Sequence, residues 1–146
     1  MTDLNDQVVA EFRATAGSVV EAMAGHFKDF HLLLLHSTGK RTGRRYVTPL
    51  LYIQDGDRYI VVGSNAGADN EPAWVANVAA MAEVGIEVGG QTLTAKPTIL
   101  REGAERNRLH AAMVAYSPDV LEYQTRTTRR FPLIVLDPVD SSPITR

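Results

Sequence analysis

The order of elements in the sequence predicts an α+β fold, mainly β: an antiparallel barrel or closed sheet flanked by helices. Three observations carry this expectation. Runs rich in β-branched and aromatic residues meet across two compact turns, Asp55-Gly56-Asp57 and Gly89-Gly90, and turns of that kind join antiparallel neighbours. Strands and helices do not alternate as a parallel βαβ sheet requires. The 146 residues suit one domain, able to bury roughly two-thirds of the surface its unfolded chain exposes.

Taken in order, Asp3 or Asn5 is placed to cap a first helix in which Val8, Val9, Phe12, Val19, Val20 and Met23 recur near helical spacing. Gly17 weakens its middle by about 1 kcal/mol, so residues 1–25 read as one helix or two short ones. Residues 31–37 are a short apolar run, and brevity favours a buried strand. Residues 47–54 and 58–64 form the first hairpin around Gly56. A polar loop over 65–70 follows, and Asp69 or Asn70 can cap a helix with Pro72 in its first turn, ending near Ala82.

Residues 84–88 and 92–99 form the second hairpin. Leu109, Met113 and Tyr116 fall at i, i+4 and i+7 of a helix over 100–116, and Ser117-Pro118 opens a short helix through Tyr123. A last strand over 131–136 closes at Asp137-Pro138, and 139–146 reads as a loose tail. The count is about six strands in a single domain over 1–146.

Net charge is −2 and there is no cysteine. The first argues against a nucleic-acid binder, which needs a broad basic face; the second excludes disulfides and thiolate chemistry. The N-terminus lacks a signal pattern, the longest apolar run cannot span a bilayer, and acids in the first helix argue against membrane contact. A cytoplasmic protein is expected, as monomer or homodimer. Histidines at 26, 31, 36 and 110 show no metal-ligand spacing, and no metal is expected.

Against this near-neutral background, Ser37-Thr38-Gly39-Lys40-Arg41-Thr42-Gly43-Arg44-Arg45-Tyr46 places four cations in six positions. It matches neither a Walker A loop nor a dinucleotide fingerprint. Glycines at 39 and 43 permit positive φ and would free backbone N–H groups for an anion nest. A solvated turn and a site for phosphate or carboxylates both remain open on composition alone.

Several segments in order resemble one family. They are Glu11-Phe12-Arg13, Leu32 to Leu35, Thr38 to Gly43, Thr48-Pro49-Leu50, Asp55-Gly56-Asp57, Ser64, Gly67, Pro72-x-Trp74-x-x-Asn77, Tyr123-Gln124, Arg130-Phe131-Pro132 and Asp137-Pro138. Together they are similar to the deazaflavin (F420)-dependent nitroreductases and quinone reductases, actinobacterial enzymes built on a split β-barrel. The resemblance implies a cofactor, reduced F420, whose phosphate and oligoglutamate tail would meet Lys40 and Arg41, with Arg44 and Arg45 placed to help. It implies cofactor contacts at Lys40, Arg41, Thr42, Tyr46, Thr48, Pro49, Leu50, Leu51, Val62, Gly63, Ser64, Asn65, Ala73, Trp74, Val75, Ala76 and Asn77.

It further implies hydride transfer to a small-molecule acceptor (quinone, enone or nitro compound), with Ser64, Tyr116 and Tyr123 on the substrate side. The chain departs from the family pattern at Tyr46 and Asn65, where arginine and lysine are usual, at Val75 after Trp74, and at Val120, where a tyrosine is usual. That last change favours quinones and enones over bulky nitroimidazoles. The competing readings are a non-catalytic carrier of F420 or a lipid-like ligand, and an FMN-dependent split-barrel flavoprotein.

Overall fold

The computed structural model describes residues 4–19 and 30–139. In order these form α1 (Leu4–Thr15), β1 (Leu32–Thr38), β2 (Arg45–Leu51), β3 (Ile53–Asp55), β4 (Arg58–Val62), a 3₁₀ turn (Asn65–Gly67) and α2 (Ala73–Ala79). They continue with β5 (Val84–Val88), β6 (Gln91–Leu100), α3 (Ala104–Tyr116), α4 (Asp119–Gln124) and β7 (Leu133–Pro138). The strands make one sheet in the order β2-β1-β5-β6-β7-β4-β3, and every pairing is antiparallel.

That order forces curvature. β2 and β3 occupy opposite edges of the sheet, yet Tyr52 alone separates them in the chain. The sheet therefore curls until its edges meet, giving a nearly closed split barrel as the sequence predicts. One predicted strand, 47–54, is cut at Tyr52: its first part pairs with β1 and only Ile53–Asp55 joins the hairpin with β4. The six expected strands thus become seven. The Tyr52 amide donates to the His31 carbonyl at 3.2 Å, tying the crossing point to the start of β1.

Four consecutive leucines read as a featureless run because both faces of β1 are covered. Leu33 and Leu35 point into the barrel with Val61, Val84, Ile86, Ala95, Ile134 and Leu136. Leu32 and Leu34 face outward against Val8, Phe12 and Val19. β7 repeats the arrangement: Leu133 and Val135 pack outward on Leu109 of α3, while Ile134 and Leu136 face in. α2 completes the inner core with Val75 and Val78, both fully buried, each contributing about 1.5–3 kcal/mol of apolar burial.

Boundaries differ where backbone geometry overrides pattern. Gly17 ends α1 instead of weakening it: Ala16 and Gly17 are both left-handed (φ 58° and 111°), and the Gly17 amide returns to the Phe12 carbonyl at 2.8 Å, a Schellman-type close. Val20 and Met23 lie outside the described residues. Pro72 is the N-cap of α2, and neither Asp69 nor Asn70 caps it. α3 begins at Ala104, because residues 98–100 continue β6 beside β7 and Gly103 (φ 105°) breaks the chain direction. The last strand starts at Leu133, and Pro138 still pairs with Ala95. Among the described residues no helix is long and apolar enough to cross a membrane.

Candidate active site: a two-chambered groove

Two cavities of comparable size, about 600 and 580 Å³, lie side by side and share Thr48 and Trp74 as walls. The first is charged and is lined by Ser37, Gly39, Lys40, Arg41, Thr42, Tyr46, Ala73, Ala76 and Asn77. The second is mainly apolar, with Phe30, Leu50, Leu51, Val62, Met113 and Val120 among its walls and Ser64, Ser117, Asp119 and Tyr123 as polar groups. Trp74 is 8% exposed: its body is packed in the core, and its remaining surface lines both chambers.

The β1–β2 connection holds its cations outward by spending its amides inward. Gly39 N–H donates to Arg44 O at 2.7 Å, Gly43 N–H to Gly39 O at 2.9 Å, Arg44 N–H to Thr42 Oγ1 at 3.2 Å and Lys40 N–H to Asn77 Oδ1 at 3.0 Å. Of the expected nest of free amides only those of Arg41 and Thr42 are left, so the loop offers mainly side chains. Gly43 is left-handed (φ 73°) as its position predicts. Gly39 is there for space, since a Cβ would stand 2.7 Å from Thr42 Oγ1. Asn77 tethers α2 to the loop, and Trp74 and Lys40 line the same chamber.

Lys40, Arg41, Arg44 and Arg45 form no ion pair among the described residues, whereas Arg13, Arg58, Arg101, Arg108 and Arg126 each meet a carboxylate. In the same chamber Ser37 is 3% exposed and its Oγ has no hydrogen-bond partner. An unsatisfied buried hydroxyl beside uncompensated cations suits a polar anionic guest, because each group lacks what such a guest brings.

Most sequence-predicted positions come together here. Lys40, Arg41, Thr42, Tyr46, Ala73, Ala76 and Asn77 line the charged chamber; Pro49, Leu50, Leu51, Val62, Ser64, Asn65 and Tyr123 line the apolar one; Thr48 and Trp74 line both. Val75 and Gly63 do not. Val75 is fully buried in the barrel, and Gly63 packs so closely that an added Cβ would meet Val75 Cγ2 at 2.9 Å and Pro132 Cγ at 3.0 Å.

Tyr116 is also absent from both chambers. Its hydroxyl accepts the His31 amide N–H, its ring stacks on His31 at 6.2 Å between centroids, and the edge of Phe30 meets it at 5.5 Å. It fastens the entry to β1. Phe30, Ala66, Pro72, Met113, Ser117 and Asp119 line the apolar chamber and Ser37 the charged one without being among the expected contacts, whereas Val120 was already expected on the substrate side. They are gathered by the barrel's curl from distant segments, and only the Ser-Pro cap of α4 gave a local signal.

Among the described residues no group of three or more His, Asp or Glu is placed to hold a metal ion.

Comparison with known proteins gives the family of the chain. The F420H(2)-dependent quinone reductase Rv1261c of Mycobacterium tuberculosis is 33% identical over 129 residues, covering 87% of this chain and 85% of that protein. Among solved structures, an F420-H2 dependent reductase, FDR-A, superposes with a TM-score of 0.66 at 30% identity, over 73% of this chain and 93% of the other. A chain solved as a domain-swapped dimer gives 0.68 at 25% identity, over 90% and 95%. A family profile, F420H(2)-dependent quinone reductase, matches residues 6–138, and the chain belongs to that family.

Proposed function

We propose that the protein is an F420H2-dependent reductase of quinones or related electron-poor acceptors, with the anionic cofactor tail in the charged chamber and the deazaflavin ring together with the acceptor in the apolar one. The observation that supports this most is the pairing of an uncompensated cationic cleft with an apolar chamber across a shared Thr48–Trp74 wall. Lys40 and Arg41 would hold phosphate and carboxylate groups by charge-assisted hydrogen bonds, with Ser37 and Thr42 as neutral partners. Arg44 and Arg45 extend the positive field along the exposed end of the loop.

Reduced F420, when bound, supplies a hydride from C5 of its deazaflavin ring. The protein's share is to orient, exclude water and steady developing charge. Leu50, Leu51, Val62, Met113 and Val120 make the acceptor chamber dry, which strengthens any hydrogen bond made inside it. Ser64 and Tyr123 are the hydroxyls we assign to an acceptor oxygen, as donors while it gains negative charge. Val120 offers no hydroxyl, so the wall opposite is apolar and favours flat quinones over polar nitroaromatics. We place the working form in the cytoplasm.

Anaerobic mixing of the purified protein with F420H2 and menadione, followed by cofactor fluorescence, tests the proposal. Reoxidation at turnover rates well above the protein-free control is expected. Tight F420 binding without reoxidation would instead indicate a carrier, and preference for FMN would indicate a different flavoprotein.

A further inference from the structure

We propose that Arg129 is a positioning residue for the acceptor chamber, holding the Ser64 loop in a strained shape against α4. The inference rests on the reading of that chamber as the acceptor site. Residues 63–68, the first part of the connection from β4 to α2, bring Ser64, Asn65 and Ala66 to the chamber wall. Two consecutive non-glycine residues there are left-handed, Asn65 at φ 46° and Ala66 at φ 53°. Asparagine tolerates that region; alanine gains nothing from it, so the surroundings must impose the shape.

The imposing groups are two arginines from the segment after α4. Arg129 donates from Nη1 to Gly63 O (3.2 Å), from Nη2 to Ser64 O (2.8 Å) and from Nε to Ala68 O (2.8 Å). Arg126 Nη1 adds a bond to Ala66 O at 3.2 Å. One planar fork thus fixes three carbonyls of a single loop, a geometry that the point-like ammonium of lysine cannot reproduce. Arg129 has no carboxylate partner among the described residues, so its donors serve the loop. Its guanidinium also lies 4.9 Å from the Phe131 ring centroid, and Phe131 packs with Met113 and Val120, two walls of the chamber.

The other side is pinned as well. Gln124 Nε2 donates to Arg129 O at 2.6 Å, one residue beyond Tyr123. Gly67 (φ 86°) lies so close beneath α4 that a Cβ would come within 2.5 Å of the Tyr123 carbonyl. Arg129 therefore sits between the elements that carry Ser64 and Tyr123, and sets their separation without touching the acceptor.

The test compares wild type with Arg129→Ala, Arg129→Lys and Ala66→Gly, the last relieving the left-handed strain. Hydrogen exchange without any ligand is expected to speed at least 10-fold at the amides of Gly67 and Ala68, which bond Ser64 O and Asn65 O, with the barrel strands unchanged. In Arg129→Ala, kcat/KM for menadione is expected to fall about 10-fold while F420 Kd stays within twofold, and added guanidinium ion should restore part of the rate. Arg129→Lys should fall between, and Ala66→Gly should soften the effect of either change. Unchanged loop exchange overturns the proposal, as does loss of F420 affinity in step with catalysis. Should the wild type itself fail to oxidise F420H2, the functional reading falls, and the exchange arm still decides the clamp on Ser64.

Discussion

Two clusters of basic side chains on this protein are similar in composition and opposite in consequence. At the β3–β4 hairpin, Arg108 grips Asp55 through both nitrogens at 3.0 and 3.2 Å, Arg58 meets the same carboxylate, and both arginines reach Glu105 at 3.2 Å. The β1–β2 loop and the first residue of β2 carry Lys40, Arg41, Arg44 and Arg45, none of which forms an ion pair among the described residues. The first cluster is neutral within itself and has no unmet demand. The second is held in place by amide bonds that leave its charges free, and so it attracts an anion from outside. Pairing, not density of charge, separates a structural patch from a site.

The largest expected effect breaks the second cluster. Lys40→Ala together with Arg41→Ala should weaken F420 binding on the order of 100-fold, since hydrogen bonds to charged groups contribute about 1.5–3 kcal/mol each; fluorescence titration measures it, and the melting temperature should hardly move. Removing Tyr123's hydroxyl comes next: Tyr123→Phe should slow menadione reduction about 10-fold at unchanged F420 affinity, read by steady-state kinetics. Asn77→Ala leaves the charges and removes the acceptor of the Lys40 amide, so affinity should fall about fivefold, within the roughly 1 kcal/mol of one hydrogen bond.

The smallest effect belongs to the self-neutral cluster. Hydrogen bonds from Arg108 and then Arg58 hold the Asp55 carboxyl down at about 2, below its value in an unfolded chain of roughly 3.9. A depressed carboxylate contributes stability that is full above about pH 4 and is lost as pH falls toward 2. Asp55→Asn should flatten that part of the stability profile, lower the melting temperature slightly at pH 6, and leave F420 affinity untouched. Thermal melts across pH 2.5–6 check the sign.

The sequence made local features legible. Two-residue turns at Gly56 and Gly89, the buried leucine run and the cationic loop were all visible because each is written in adjacent residues. Curvature was not: nothing around Tyr52 signals that one extended run serves both edges of the sheet. Tyr116 entered as a site hydroxyl through the resemblance alone, while its engagement by the His31 amide depends on an approach across 85 positions. Arg106 and Arg129 escaped for another reason. Their partners are backbone carbonyls, Phe131 O for Arg106 and three carbonyls of 63–68 for Arg129, and a carbonyl acceptor leaves no mark in a sequence. Residues that the resemblance names line much of the groove; Val75, Gly63 and Tyr116 stand outside it, the first two because packing against the barrel takes the side chain or its place, the third because its hydroxyl meets the His31 amide.

The most direct test of the uncompensated loop is the dissociation constant of F420 for wild type and for Lys40→Ala/Arg41→Ala, measured at about 50 and 500 mM salt, a range over which screening of exposed charges becomes strong. Wild-type affinity is expected to fall steeply with salt, and that of the variant to depend on it much less. Equal slopes in the two proteins would contradict it, because the anion would then be held by something other than these cations.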